Sequence, residues 1–98
     1  MLTTKQRAML RGLANCLEPT MQIGKEGITE NSITQVEQML YAKELIKIKV
    51  LQNQDEDIRV IANIFAEKTN SEVVQVIGRT MVLYKKTNKK GVKNIMID

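Results

Sequence analysis

The stretch "ELIKIKVLQ", residues 44–52, constrains the fold of this chain more than any other. Apolar and basic residues alternate in it. Ile46, Ile48 and Val50 share one face, and Lys47 and Lys49 share the other. A period of two over this length is a β-strand with one buried face. Helical patterns stand on both sides. Upstream, Ile33, Val36, Met39 and Leu40 recur at helical spacing to about Ala42, with Thr29 placed as the N-cap. Downstream, Ile58, Ile61, Ala62 and Phe65 form a second apolar stripe, ended by Thr69, Asn70 and Ser71. A strand set between two helices is the centre of a crossover unit. Such crossovers are right-handed and make neighbouring strands parallel.

The remaining segments extend this unit. "TMQIG" reads as a short strand that stops at Gly24, before the second helix. "EVVQVIGRTMVLYKK" reads as a hairpin, with Gly78 and Arg79 in a two-residue type II′ turn. At the start, "TTKQRAMLRGLANCL" reads as a first helix. Thr3 and Gln6 have capping-box spacing. Leu2, Met9, Leu13, Cys16 and Leu17 fall near one face, with Leu10 on its flank, and Thr4, Arg7 and Arg11 fall on another. Gly12 lowers helix propensity and so predicts a close packing contact there. Pro19 ends the helix. The order is α-β-α-β-α-β-β. Two crossovers in one direction place their helices on the same sheet face, which predicts a two-layer α/β sandwich with strands one to three parallel and strand four antiparallel. Residues 1–98 form one domain, with a lysine-rich, mobile segment expected at about 86–93. "NIMID" is expected to be a last short strand or a tail.

Composition removes several functions. Histidine is absent and Cys16 is the one cysteine, so the commonest general base, a zinc-spaced ligand set and an internal disulfide are all missing. No Walker or G-x-S-x-G sequence occurs. A non-enzyme without cofactor or metal is expected. No apolar run is long enough for a membrane helix and no signal peptide opens the chain, so a cytoplasmic protein is expected. The net charge of +4 is unevenly placed. Lys5, Arg7 and Arg11 precede the first acid, and Lys85, Lys86, Lys89, Lys90 and Lys93 cluster near the end. Basic ends favour a polyanionic partner.

The topology brings three turns to one sheet edge: "GKEG" (Gly24, Lys25, Glu26, Gly27), the "NQDED" loop, and the Gly78–Arg79 tip. With strands one and three outermost, Lys25 and Arg79 are expected three strand spacings apart, or ~14 Å. Glycines at G-x-x-G spacing let a backbone approach a bulky anion, and the helix that follows offers unpaired N–H groups. The K homology domain grips nucleic-acid backbones by this logic.

Taken together, "LTTKQRAMLRGLA", "PTMQIGKEGITEN", "ELIKIKV", "DIRVIA" and "VVQVIGRTMVLYKK" resemble the CRM domain, the chloroplast RNA splicing and ribosome maturation domain, whose bacterial single-domain form is the YhbY-like proteins. The resemblance spans nearly the whole chain. It implies an RNA-binding assembly factor of precursor large ribosomal subunits. It also implies a fold like the C-terminal domain of the third translation initiation factor, with strand order 1-2-4-3. Carried over by motif, Gly24, Lys25, Glu26 and Gly27 form the family's loop, and Arg7 and Arg11 its basic first helix. Arg79, Lys85 and Lys86 complete the expected RNA-binding set. Histidine, common in the family at the positions of Asn15 and Lys43, is replaced here.

Other residues carry weaker expectations. Lys47 and Lys49 read either as an RNA-facing pair or as a solvated strand face, the latter favoured. Cys16 is expected to be a buried small residue, and Tyr84 to pack in its strand rather than stack a base. Asp55, Glu56 and Asp57 are expected in the first turn of the third helix, where they oppose its dipole better than they would hold magnesium. A monomer is expected. The rival functions are a module that docks on a ribosomal protein and a hydrolase built on "DED".

Overall fold

A computed structural model describes residues 2–24, 26–51, 57–91 and 94–95. Seven elements follow in the expected order: α1 (Thr4–Ala14), β1 (Met21–Ile23), α2 (Glu30–Lys43), β2 (Leu45–Val50), α3 (Ile58–Thr69), β3 (Glu72–Ile77) and β4 (Thr80–Tyr84). The sheet has the order β1-β2-β4-β3. β1 runs parallel to β2, and β4 is antiparallel to both β2 and β3.

The alternation of β2 sorts its residues between two cores. Ile46, Ile48 and Val50 meet Val36 and Leu40 of α2 and Ile61, Ala62 and Phe65 of α3, all buried. This is the predicted two-layer sandwich. On the opposite face, Leu10 and Ala14 of α1 cover Leu45, Val74, Val82 and Tyr84. α1 therefore adds a partial third layer. A bulge between Val73 and Gln75 lets Val74 turn toward α1 while Val73 and Val76 stay on the α2/α3 side.

The helix ends follow their caps. Thr3 and Gln6 form a capping box, and Thr29 and Ser32 form another. Asp57 caps α3 by accepting from the Arg59 N–H at 2.8 Å. It therefore acts from the cap position rather than from within the first turn; Asp55 and Glu56 lie outside the described residues. Asn70 ends α3 in the left-handed conformation. At the hairpin, Gly78 has φ +57 and Arg79 is not among the positive-φ residues, as a type II′ turn requires in φ.

α1 departs from expectation. It stops at Ala14, before Pro19 is reached. Its buried face is Leu10 and Ala14, whereas Met9 and Leu13 are each 44% exposed and Cys16 is exposed. The middle of the apolar stripe read from the sequence is thus turned outward, while Leu2 and Leu17 at its ends pack against the inner core. Arg7 is the reason: it lies on the inner face and its guanidinium donates to the Val73 carbonyl, and to that of Val74 at 3.4 Å. Gly12 marks no close contact, since a Cβ there would meet nothing within 4 Å. Lys47 is half-buried, and its ammonium is engaged within the fold. Its Nζ donates to the carbonyls of Ala14 (3.3 Å) and Leu17 (3.4 Å) and caps the end of α1, while Lys49 is exposed. Tyr84 is buried, as expected.

One charged residue among those described is fully buried. Glu44, between α2 and β2, is 0% exposed and has φ +66, a strained value for a residue with a side chain. Its carboxylate accepts from the N–H of Thr87 (2.8 Å), the N–H of Ile95 (2.7 Å) and the Asn94 amide. Its carbonyl accepts from the Lys85 N–H. Burial alone would raise its pKa. The hydrogen bonds from Thr87, Ile95 and Asn94, with the charge of Lys86, outweigh that and hold the carboxyl below its ordinary range. The same negative charge, after burial, raises the pKa of Tyr84.

Candidate nucleic-acid interface

β1 ends at Ile23, and its carbonyl accepts from the Leu51 N–H at 2.9 Å. The chain then reverses: the Gly27 N–H donates to the Gly24 carbonyl at 3.0 Å, closing a four-residue turn. Lys25, inside this turn, lies outside the described residues. Gly27 has φ +69, so the turn itself demands glycine there. Gly24 is different. It is not among the positive-φ glycines, and a Cβ on it would meet Leu51 Cδ1 at an ordinary 3.7 Å. The geometry of the fold explains the second glycine of the pair and not the first.

α2 begins two residues after Gly27. Thr29 Oγ1 accepts from the Ser32 N–H at 3.0 Å, and Ser32 Oγ accepts from the Thr29 N–H at 2.8 Å. The Ile33 N–H makes the first intrahelical bond, to Thr29. That leaves the N–H groups of Glu30 and Asn31 without an intrahelical acceptor at the positive end of the helix. A shallow open hollow of about 380 Å³ joins the turn to this helix end, with Gln22, Glu26, Asn31 and Gln35 on its walls. Among its described lining residues Glu26 carries the only charge.

Arg79 sits on the same edge, closer than expected. The Val50 N–H donates to its carbonyl at 2.7 Å, so the tip lies against β2. Order β1-β2-β4-β3 places Arg79, which leads into β4, two strand spacings from β1 rather than three, or ~10 Å. Its Nε donates to the Val50 carbonyl at 3.0 Å and its Nη2 to that of Leu51. The guanidinium fastens the end of β2 and keeps further donors.

The other predicted site residues are not gathered there. Arg7 is held against β3 under α1, and Arg11 is exposed in the last turn of α1. Lys85 and Lys86 follow β4, at the opposite end of the strands, where Tyr84 pairs with Leu45. Lys85 Nζ donates to the Thr69 carbonyl at 3.0 Å and caps α3. Lys86 is exposed. Among the described residues no group of three or more acidic, cysteine or histidine side chains is placed to hold a metal ion, and no helix is long and apolar enough to cross a membrane.

Comparison with known proteins matches this architecture. The family model of the CRS1 / YhbY (CRM) domain matches residues 2–85. The "Probable RNA-binding protein YqeI" of Bacillus subtilis is 45% identical over 89 residues, covering 91% of this chain and 93% of its own. An "RNA-binding protein" of Haemophilus influenzae is 39% identical over 84 residues, covering 86% and 85%. The solution structure of the hypothetical protein SAV1595 of Staphylococcus aureus superposes with a TM-score of 0.78 at 47% identity, covering 92% of this chain and 94% of that one. Family model, sequence identity and fold agree: the chain belongs to the CRS1/YhbY (CRM) domain family.

Proposed function

We propose that this chain binds RNA without catalysing a reaction on it, and that it does so as an assembly factor on ribosomal RNA in precursor large ribosomal subunits. The observation that carries the reading is Gly24. The fold has no steric need of a glycine there, yet its bare backbone borders a hollow that reaches the α2 N-terminus at Thr29 and Asn31. A sugar–phosphate backbone is the ligand that such an edge fits. Two family relatives named as RNA-binding proteins support the RNA half of the reading. The ribosomal half rests on the family resemblance.

In this mechanism Gly24, Glu26, Gly27 and the α2 N-terminus hold the backbone, and Lys25 supplies the charge. Arg11 and Lys86 add long-range attraction from exposed positions. Arg7, Arg79 and Lys85 have donors committed within the fold and add only what remains of their charge. Binding follows shape rather than sequence and is salt-sensitive. If about four phosphates are neutralised, the log–log salt slope on single strands is ~−3.

The test is binding of the unmutated chain and Lys25→Glu to ribosomal RNA fragments at two salt concentrations. A salt-dependent affinity that collapses in the variant is expected. A slope near zero would count heavily against the mechanism. A second reading, docking on a ribosomal protein, has one observation in its favour: the outward stripe of Met9, Leu13 and Cys16 on α1. It predicts that Lys25→Glu leaves complex formation intact while RNA alone binds poorly even to the unmutated chain.

A further inference from the structure

At the end of the strands opposite the glycine turn, the last turns of α2 face the segment that follows β4. A groove of about 430 Å³ runs between them, walled by Glu37, Tyr41, Lys85, Lys86, Thr87 and Asn88. Tyr41 is 51% exposed in it, an unusual position for one of the two tyrosines of a chain without tryptophan. Lys89 Nζ stands 5.8 Å from the centre of its ring.

This wall is built rather than incidental. Thr87 is buried, and its N–H is held by the Glu44 carboxylate. The Lys89 N–H in turn donates to Thr87 Oγ1 at 3.2 Å. A carboxylate with no solvent exposure thus fixes Thr87, which follows Lys86 directly and whose hydroxyl holds the Lys89 N–H. The fold commits a buried charge to presenting lysines beside an aromatic face.

We propose that this groove holds one unpaired nucleotide of an RNA strand, its base stacked on Tyr41 and its phosphate between Lys86 and Lys89. Aromatic faces flanked by cations are the general device for gripping single strands, because every base has a π-face. Glu37 sets the orientation. It repels a phosphate from its own side of the groove and accepts from an N–H edge of the base. Tyr41 lies twelve residues along α2 from its cap, ~18 Å from the glycine turn. A single strand lying along α2 therefore reaches both places, and the second explains how a strand held by its backbone at one end is kept from swinging free at the other. This inference rests on the RNA reading above and adds to it a site the glycine turn does not supply.

The experiment titrates the full chain with a ten-nucleotide adenylate RNA at low salt while the Tyr41 ring signals are followed by NMR. The expected result is an upfield movement of those signals with the Tyr84 ring unmoved. Tyr41→Ala should weaken binding by about tenfold and Tyr41→Phe by less than about twofold, since the ring and not the hydroxyl stacks. Lys86→Glu with Lys89→Glu should make the salt slope shallower by about one phosphate's worth. RNA binding that depends on Lys25 but leaves the Tyr41 ring unmoved would overturn the proposal and leave the glycine-turn reading standing. No binding by the unmutated chain would remove both. Equal ring movement with polyglutamate would make the groove an acidic-peptide site and also overturn it. The ring signals are read in the unmutated chain, so the result does not depend on any variant folding.

Discussion

At Gly24 and Gly27 two identical residues, three apart, answer to different demands. Gly27 is required by its φ of +69, where a side chain is strained. Gly24 has room for a Cβ. Gly27→Ala should therefore cost about 1 kcal/mol or more of stability. Gly24→Ala should leave the melting temperature nearly unchanged and still weaken RNA binding. Thermal melts beside binding curves for both variants check this; a Gly24→Ala protein that binds RNA as well as the unmutated chain would count against backbone contact there. The sequence shows that both glycines sit in a turn before a helix. It does not show which of them the turn needs, because that depends on φ and on what lies beside Gly24. Glu44 was less legible still. Nothing in "AKELIK" distinguishes a buried, positive-φ glutamate from a surface one, since its partners stand 43 to 51 residues away.

Among the elements, the strands and the two sheet-packed helices were legible because burial imposes a clean period on them. Ile46, Ile48 and Val50, or Ile58, Ile61, Ala62 and Phe65, admit one reading. α1 did not, because it touches the sheet through only Leu10 and Ala14 and completes its inner face with Arg7. An arginine that bonds strand carbonyls looks, in sequence, like solvent-facing charge. The outer face of α1 gives a direct check. Gly12 is helical, has no neighbour to meet a Cβ and lies on that face. Gly12→Ala should stabilise the protein by roughly 0.5–1 kcal/mol, raising the melting temperature by several degrees. A fall instead would show that something packs on Gly12.

For the molecule as a whole, one carboxylate joins the corner between α2 and β2 to residues 87, 94 and 95. Its pKa is lowered on folding, so the unfolded chain binds its proton more readily. Stability from this group is therefore present above the unfolded value, near 4.5, and is lost as pH falls through the lower folded value. Acid titration of the melting temperature should show this loss beginning below about pH 4.5. Glu44→Gln should flatten that part of the curve and cost about 2–4 kcal/mol near neutral pH, because buried donors lose a charged acceptor. Strand order was the most legible property at this scale. The position of Arg79 was not, because the hairpin tip leans on β2 rather than standing at the far edge.

The anchoring of Glu44 also ties the α2–β2 corner to residues that lie beyond the last described strand. A chain cut after Tyr84 would keep all four described strands of the sheet, but none of the hydrogen-bond donors that satisfy the buried carboxylate. That carboxylate would then have to stay hydrated, and the corner would open to admit water. The Tyr41 groove, whose wall hangs on the same carboxylate, would go with it.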